Sequence, residues 1–133
     1  MSATQKAAWF NLMVVALTAT VVLTLYPMLG ARASGGFGVL GFVGLAALFY
    51  RRQRGRAVSD ERDVMIYHRA NVWAYTVLWV CFVASALAAP AVFGDSVPVA
   101  VIQSSVWVAF MIVLGVHSIA TLVQHGRAIA DGN

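Results

Sequence analysis

Charge is scarce in this chain: 11% of its 133 residues are charged and 61% are hydrophobic, with a mean hydropathy of +0.81. A soluble domain carries about 25% charged residues, so a water-covered globule is excluded and an integral membrane protein remains. Cysteine is almost missing as well. The single Cys81 lies in an apolar run, which rules out an intramolecular disulfide and a CxxC pair and marks it as a small packing residue. The sequence holds no HExxH, no GxSxG and no His/Cys cluster at metal spacing. It has five acids, and only Asp131 accompanies the one acidic cluster on its side of the membrane, so general acid/base chemistry lacks a second group. No enzyme and no cofactor is expected.

What is present is four apolar runs, over about 7–29, 33–50, 70–89 and 98–123. Each approaches or exceeds the roughly 18 to 20 residues that cross about 30 Å of hydrocarbon. In lipid each backbone N–H and C=O must be bonded within its segment, so the runs are read as helices. The expected fold is all-α, a single-domain integral membrane four-helix bundle. "YPMLGARASGG" at 26–36 breaks the first pair of spans and "APAVFGDSVP" at 89–98 the second. Pro90 is expected to end the third helix and Pro98 to open the fourth.

Lys6, Arg51, Arg52, Arg54, Arg56, Arg62, Arg69 and Arg127 fall on one side and only Arg32 on the other. By the positive-inside rule both termini and the 51–69 loop are cytosolic. The net charge of +4 therefore reports topology, and no direct nucleic-acid partner is expected. Lys6, the apolar stretch and "ARA" at 31–33 before Ser34 imitate a signal peptide, yet the stretch at 7–29 exceeds the roughly 7 to 15 residues of such a segment. Retention of the first span is the expectation.

The remaining charge concentrates in "AVSDERDVMIYHRANVW" at 57–73. Ser59 or Asp60 is a plausible N-cap, with acids at the positive end of the helix dipole, so the third helix is predicted to start near 60. Asp60, Asp63, Tyr67, Ala70, Ala74, Val77, Cys81, Ala84 and Ala88 follow a three-four alternation, a seam of small residues within the bilayer. Small residues permit the close approach that helix packing in lipid requires. A second face carries Arg62, Ile66, Arg69 and Trp73, suited to phosphates and the interfacial aromatic belt. Asp60, Glu61 and Asp63 are read as capping and pairing groups for "RRQRGR" at 51–56; hard cations need carboxylates that converge from several directions. Asp60, Glu61, Arg62, Asp63, Ile66, Tyr67 and Arg69 together form the candidate interaction surface.

In the fourth span Gln103, Trp107, Phe110, Leu114, His117, Thr121 and Gln124 share one face. Polar groups in a membrane point into the bundle or a wet cavity. Helix-to-helix bonding by Gln103, His117, Thr121 and Gln124 is the leading reading, because no carboxylate or lysine lies within a span to carry charge; an ion or proton path is the sharper one. Of His68, His117 and His125, depth pairs His68 with His125, both near the boundary, whereas a haem in lipid needs ligands well inside and His117 is alone at its level; interfacial or hydrogen-bonded histidine is the leading reading. Gly35, Gly38, Gly41 and Gly44 recur at three, which on an α-helix drifts around the axis and opens a broad arc to neighbours.

"DERDVMIYHRANVWA" resembles the motif Asp-Glu-Arg-x-x-x-Ile-x-x-(Lys/Arg)-Ala, with Ala again four residues on, of a domain-of-unknown-function family of small bacterial and archaeal membrane proteins. Asp60, Glu61, Arg62, Ile66, Arg69, Ala70 and Ala74 match it. The likeness extends to the plan of hairpin, basic loop, motif and hairpin. Members often occur beside small helix-turn-helix regulators, so the resemblance implies a regulatory partner; it implies no activity.

The expected protein is thus a non-enzymatic, multi-pass component of a bacterial or archaeal cytoplasmic (inner) membrane, in contact with the lipid bilayer. It is read as a regulatory or scaffold element acting on a cytosolic protein partner, and as a homo-oligomer, a dimer. A small dimeric transporter or channel built on the fourth span is the alternative, and a haem-binding redox subunit the third reading.

Overall fold

The computed structural model describes residues 3–46 and 61–130, with side chains over 3–30, 32–46 and 64–127. Residues 47–60 lie outside it, and with them the arginines at 51–56, Ser59 and Asp60; so does Asp131. All regular structure among the described residues is helical. Helix α1 spans Ala3–Leu29, a 3-10 helix spans Gly30–Ala46, α2 spans Glu61–Phe93 and α3 spans Val99–Ala130. The three α-helices are long and apolar enough to cross a membrane. At 1.5 Å per residue α2, with 33 residues, is about 50 Å long and α3, with 32, about 48 Å.

Two hairpins make up the described residues. In the first, the 3-10 helix folds back along α1: Gly36 lies beside Val21 and Val22, and Val14 packs with Phe37 and Leu40 in the hydrophobic core. The reversal occurs at Gly30, whose φ of 54° falls in the left-handed region open to glycine. In the second, α2 and α3 are joined through Gly94, at φ 66°. The Gly94 N–H donates to the Pro90 carbonyl at 3.0 Å, which closes the helix end.

Pro90 therefore does not end the third helix as expected; α2 runs through it to Phe93. Proline removes one N–H and crowds one carbonyl a turn back. One turn from the terminus that is a single lost bond, and the left-handed glycine supplies the stop. Pro98 stands just before α3, its carbonyl accepting from the N–H groups of Val101 at 2.9 Å and Ile102 at 3.3 Å.

The second apolar run is not an α-helix. Its 17 residues wind as a 3-10 helix, with three residues and about 2.0 Å of rise per residue, so the segment is about 34 Å long. Period three turns the drifting glycines of an α-helix into a straight row: Gly35, Gly38, Gly41 and Gly44 are all exposed, and a Cβ added at any of them would meet nothing within 4 Å. A neighbouring row of Phe37, Leu40 and Ala46 is buried, with Val43 partly so. Side chains at i and i+3 eclipse in this winding; glycine on one of the three rows removes the crowding there.

The hairpins meet through α1 and α3. Gly115 of α3 lies beside Val15, whose Cγ1 would be 3.8 Å from an added Cβ. Met111 and Leu114 of α3 pack against the Val14 core, and Trp107 stacks on Phe37 with centroids 6.0 Å apart and planes 12° apart. Helix α1 packs on the 3-10 helix and on α3, while the main partner of α2 is α3.

Candidate functional site

The charged end of α2 is continuous with its membrane portion. Glu61, Arg62 and Asp63 form the first turn; their side chains lie outside the described residues, so the acidic members of the interaction surface are placed by backbone alone. From there Ile66, Ala70 and Ala74 are buried, at 6%, 0% and 1% exposure. Steps of four return to nearly the same side of a helix, and these three residues form the strip that meets α3. The seam expected from the sequence holds at Ala70 and Ala74 and is half-buried at Val77, but Cys81, Ala84 and Ala88 are exposed. A seam needs a facing helix along its full length; beyond Leu78, α2 turns no buried residue toward α3.

Ile66 is the other difference. The expectation puts it with Arg62, Arg69 and Trp73 on a second face; it instead closes the end of the contact strip nearest the start of α2. Arg69 and Trp73 are exposed. Tyr67 is half-exposed, yet its ring stands edge-on to that of His117 at 5.1 Å and 75°. In this way the motif helix touches the polar face of α3.

That polar face is buried unevenly. Thr121 is 1% exposed and its Oγ1 donates to the His117 carbonyl at 2.8 Å. Gln124 is half-buried, and Gln103, near the opposite end, is exposed. Ser118, adjacent to His117, is wholly buried; nothing in its sequence position singles it out beyond its neighbour's polarity. On α1 the matching residue is Asn11, the one carboxamide of the first apolar run. Both lie within about one turn of the place where Gly115 approaches Val15.

Most hydroxyls of these helices satisfy themselves locally. Thr18 donates to Val14, Thr20 to Ala16, Thr24 to Thr20 and Thr76 to Val72, each to the carbonyl four residues back. In hydrocarbon such a bond removes the penalty of a free hydroxyl. Ser118 Oγ does not do this: it is buried without a partner, as are His117 Nδ1 and Asn11 Oδ1.

His68 and His117 have different surroundings. His68 is exposed and lines a groove made of α2 residues, among them Val72, Thr76 and Trp79, whereas His117 faces Tyr67. Among the described residues there is no group of three or more His, Cys, Asp or Glu able to hold a metal ion. Comparison of the chain with family models, curated proteins and solved structures finds no match.

Proposed function

We propose that this protein is a four-crossing, non-enzymatic membrane component that presents the start of α2 to a protein partner in the cytosol. The crossings are α1, the 3-10 helix, α2 and α3, with both termini on the side where lysine and arginine accumulate. The observation behind this reading is the continuity of α2, which runs without a break from the charged turn at Glu61 to Phe93. A partner bound at the Asp60 to Arg69 segment would pull on a rigid rod packed against α3 through Ile66, Ala70 and Ala74. The likeness of residues 60–74 to the bacterial and archaeal membrane family supports the same reading and a regulatory partner. Self-association as a dimer belongs to it, since α2 leaves most of its apolar surface without a partner in the chain.

The test is a paired variant, Asp60→Ala with Asp63→Ala, in native membranes. Loss of a specific cross-linked partner or of the oligomer is expected while the protein still accumulates. Unchanged partners, oligomer state and abundance would refute the proposal.

A second reading, a small transporter or channel, draws on the unpartnered buried atoms of Asn11, His117 and Ser118. Flux into proteoliposomes that disappears with His117→Ala would favour it over the first. A haem-binding redox role fits less well with His68 on the outside of α2, and a Soret band in the purified protein is its direct test.

A further inference from the structure

Helices α1 and α3 run antiparallel where they touch. Gly115 lies beside Val15, while Trp107, earlier on α3, stacks on Phe37, the neighbour of the Gly36 that lies beside Val21 and Val22 farther along α1. From the Val15–Gly115 contact, one turn toward the start of α1 reaches Asn11, and one turn toward the end of α3 reaches Ser118. Steps of four and of three keep to one side of an α-helix. The two polar residues therefore stand at one level, on the faces that the helices turn to each other. One further turn in the same direction brings buried Ala8 level with Thr121, whose hydroxyl already donates to the His117 carbonyl.

Asn11 Oδ1 and Ser118 Oγ are both buried, and neither bonds to the other or to any other group of the chain. The direction of the serine hydroxyl carries the argument. Ser85 and Ser105 donate to the carbonyl three residues back, and Thr18 and Thr121 to the one four back. Ser118 has the carbonyls of Gly115 and Leu114 within the same reach and takes neither. Its Oγ turns away from its own backbone, and at 0% exposure it is covered by protein. Glycine at 115 and alanine at 8 keep bulk out of the neighbouring layers.

An unsatisfied hydroxyl or carboxamide oxygen is costly in hydrocarbon. A carboxamide oxygen only accepts, whereas a serine hydroxyl also donates. A molecule that accepts from Ser118 and donates to Asn11 satisfies both, and buried waters act in this way, with about three bonds each to groups otherwise unpaired. The spacing of the helices selects for size: Val15 would stand in contact, at 3.8 Å, with a Cβ at residue 115, which leaves no room for a guest larger than water. Bulk water is also near, since exposed Lys6 stands about 7.5 Å beyond Asn11 along α1.

We propose that one water molecule bridges Ser118 Oγ and Asn11 Oδ1, linking the first hairpin to the second through a hydrated point in the α1–α3 contact. His117 points about 100° round α3 from Ser118, toward Tyr67 of α2, and is not part of the bridge. The bridge depends on the packing of α1 against α3, and on neither the partner nor the transporter reading.

The experiment is solid-state NMR of the full, isotope-labelled chain in vesicles of deuterated lipid, following magnetisation transferred from water. Early transfer is expected at the side chains of Asn11 and Ser118, and none at Thr18, which is equally buried but bonded to its own helix. Asn11→Leu should abolish the transfer at Ser118, and Ser118→Ala the transfer at the Asn11 carboxamide. Stability is not the readout, because bonds made through water return little net free energy. Absence of transfer at both residues of the wild type overturns the proposal without any variant. A direct contact between the two side chains with no water transfer also overturns it. So does transfer at Ser118 that survives Asn11→Leu, which makes the water a guest of α3 alone, or equal transfer at Thr18, which makes the whole contact wet.

Discussion

The two hairpins differ in how much bulk they bury beside their alanines. In the first, large side chains interlock: Phe37 and Leu40 of the 3-10 helix are buried against Val14, with Phe10, Val22 and Val43 around them. In the second, Ile66 at one end and otherwise small residues make the contact. Ala70 and Ala74 of α2 are buried while Trp79, Phe82, Leu87 and Val92 face outward. Among the described residues the largest side chains that are completely buried are Thr18, Ser118 and Thr121. Water would reverse this pattern, since burying a leucine or phenylalanine is worth about 1.5 to 3 kcal/mol there. Lipid tails are as apolar as leucine and give no such drive, so helices associate where small side chains let backbones approach. The first hairpin keeps a conventional core because the glycine row lets the 3-10 helix carry its bulk on the side toward α1.

This contrast can be broken most strongly at Phe37. Phe37→Ala removes a buried ring that also stacks on Trp107, and is expected to cost about 3 kcal/mol, the lower end for such truncations because lipid offers part of the lost contact. Phe82→Ala, on the exposed face of α2, should stay within about 0.5 kcal/mol. Unfolding by SDS titration in mixed micelles measures both, and similar losses would mean that α2 has a covered face after all.

Enlarging a residue should hurt in the other hairpin. Ala70→Leu places extra methyl groups where there is no space and is expected to cost about 2 kcal/mol; Ala84→Leu, exposed in the same expected seam, should be near neutral by the same titration. A loss at Ala84 as large as at Ala70 would show the seam to be occupied along its whole length, as a dimer through α2 would do.

The glycine rows give a smaller contrast. A Cβ at Gly36 would lie 3.1 Å from both Val21 Cγ1 and Val22 Cγ2, and Gly36→Ala is expected to cost about 1 kcal/mol because β-branched side chains yield little. Gly38→Ala meets nothing and should gain about 0.5 kcal/mol from the unfolded chain's lost freedom. Thermal denaturation in one detergent ranks the pair; a reversal of sign would place the outer glycine row against another helix.

Smallest is the change at Ser118. With its hydroxyl unpartnered, Ser118→Ala should leave stability unchanged or raise it by up to about 0.6 kcal/mol, the average size of a hydrogen bond between membrane helices. A clear loss in the same assay would mean that the hydroxyl holds a guest or bonds Asn11.

Much of this architecture is legible in the residues, and the parts that are not have identifiable causes. Apolar runs and turn residues locate α1, α2, α3 and the reversal near Gly94, because lipid leaves a backbone few alternatives to helix. The alternation of small residues identifies Ala70 and Ala74. It overreaches at Cys81, Ala84 and Ala88 because a pattern on one helix does not say how far its neighbour follows. Ile66 is misplaced for a related reason: a contact strip advancing by four residues diverges from one alternating three and four. The winding of the second segment was written in the spacing of its glycines, but a 3-10 helix of this length is rare enough that the same spacing reads first as an α-helix. In the polar layer His117 and Thr121 stand out by type, whereas Asn11 and Ser118 acquire meaning only when α1 and α3 are brought together.

The winding of the second segment also makes its length adjustable. Rewound as an α-helix, the same 17 residues would shorten from about 34 Å to about 26 Å. Bilayers differ by a few ångströms in hydrocarbon thickness, and each ångström of mismatch carries a fraction of a kcal/mol. If this segment is the fourth crossing proposed above, a thick bilayer would match the stretched form and a thin one the compact form.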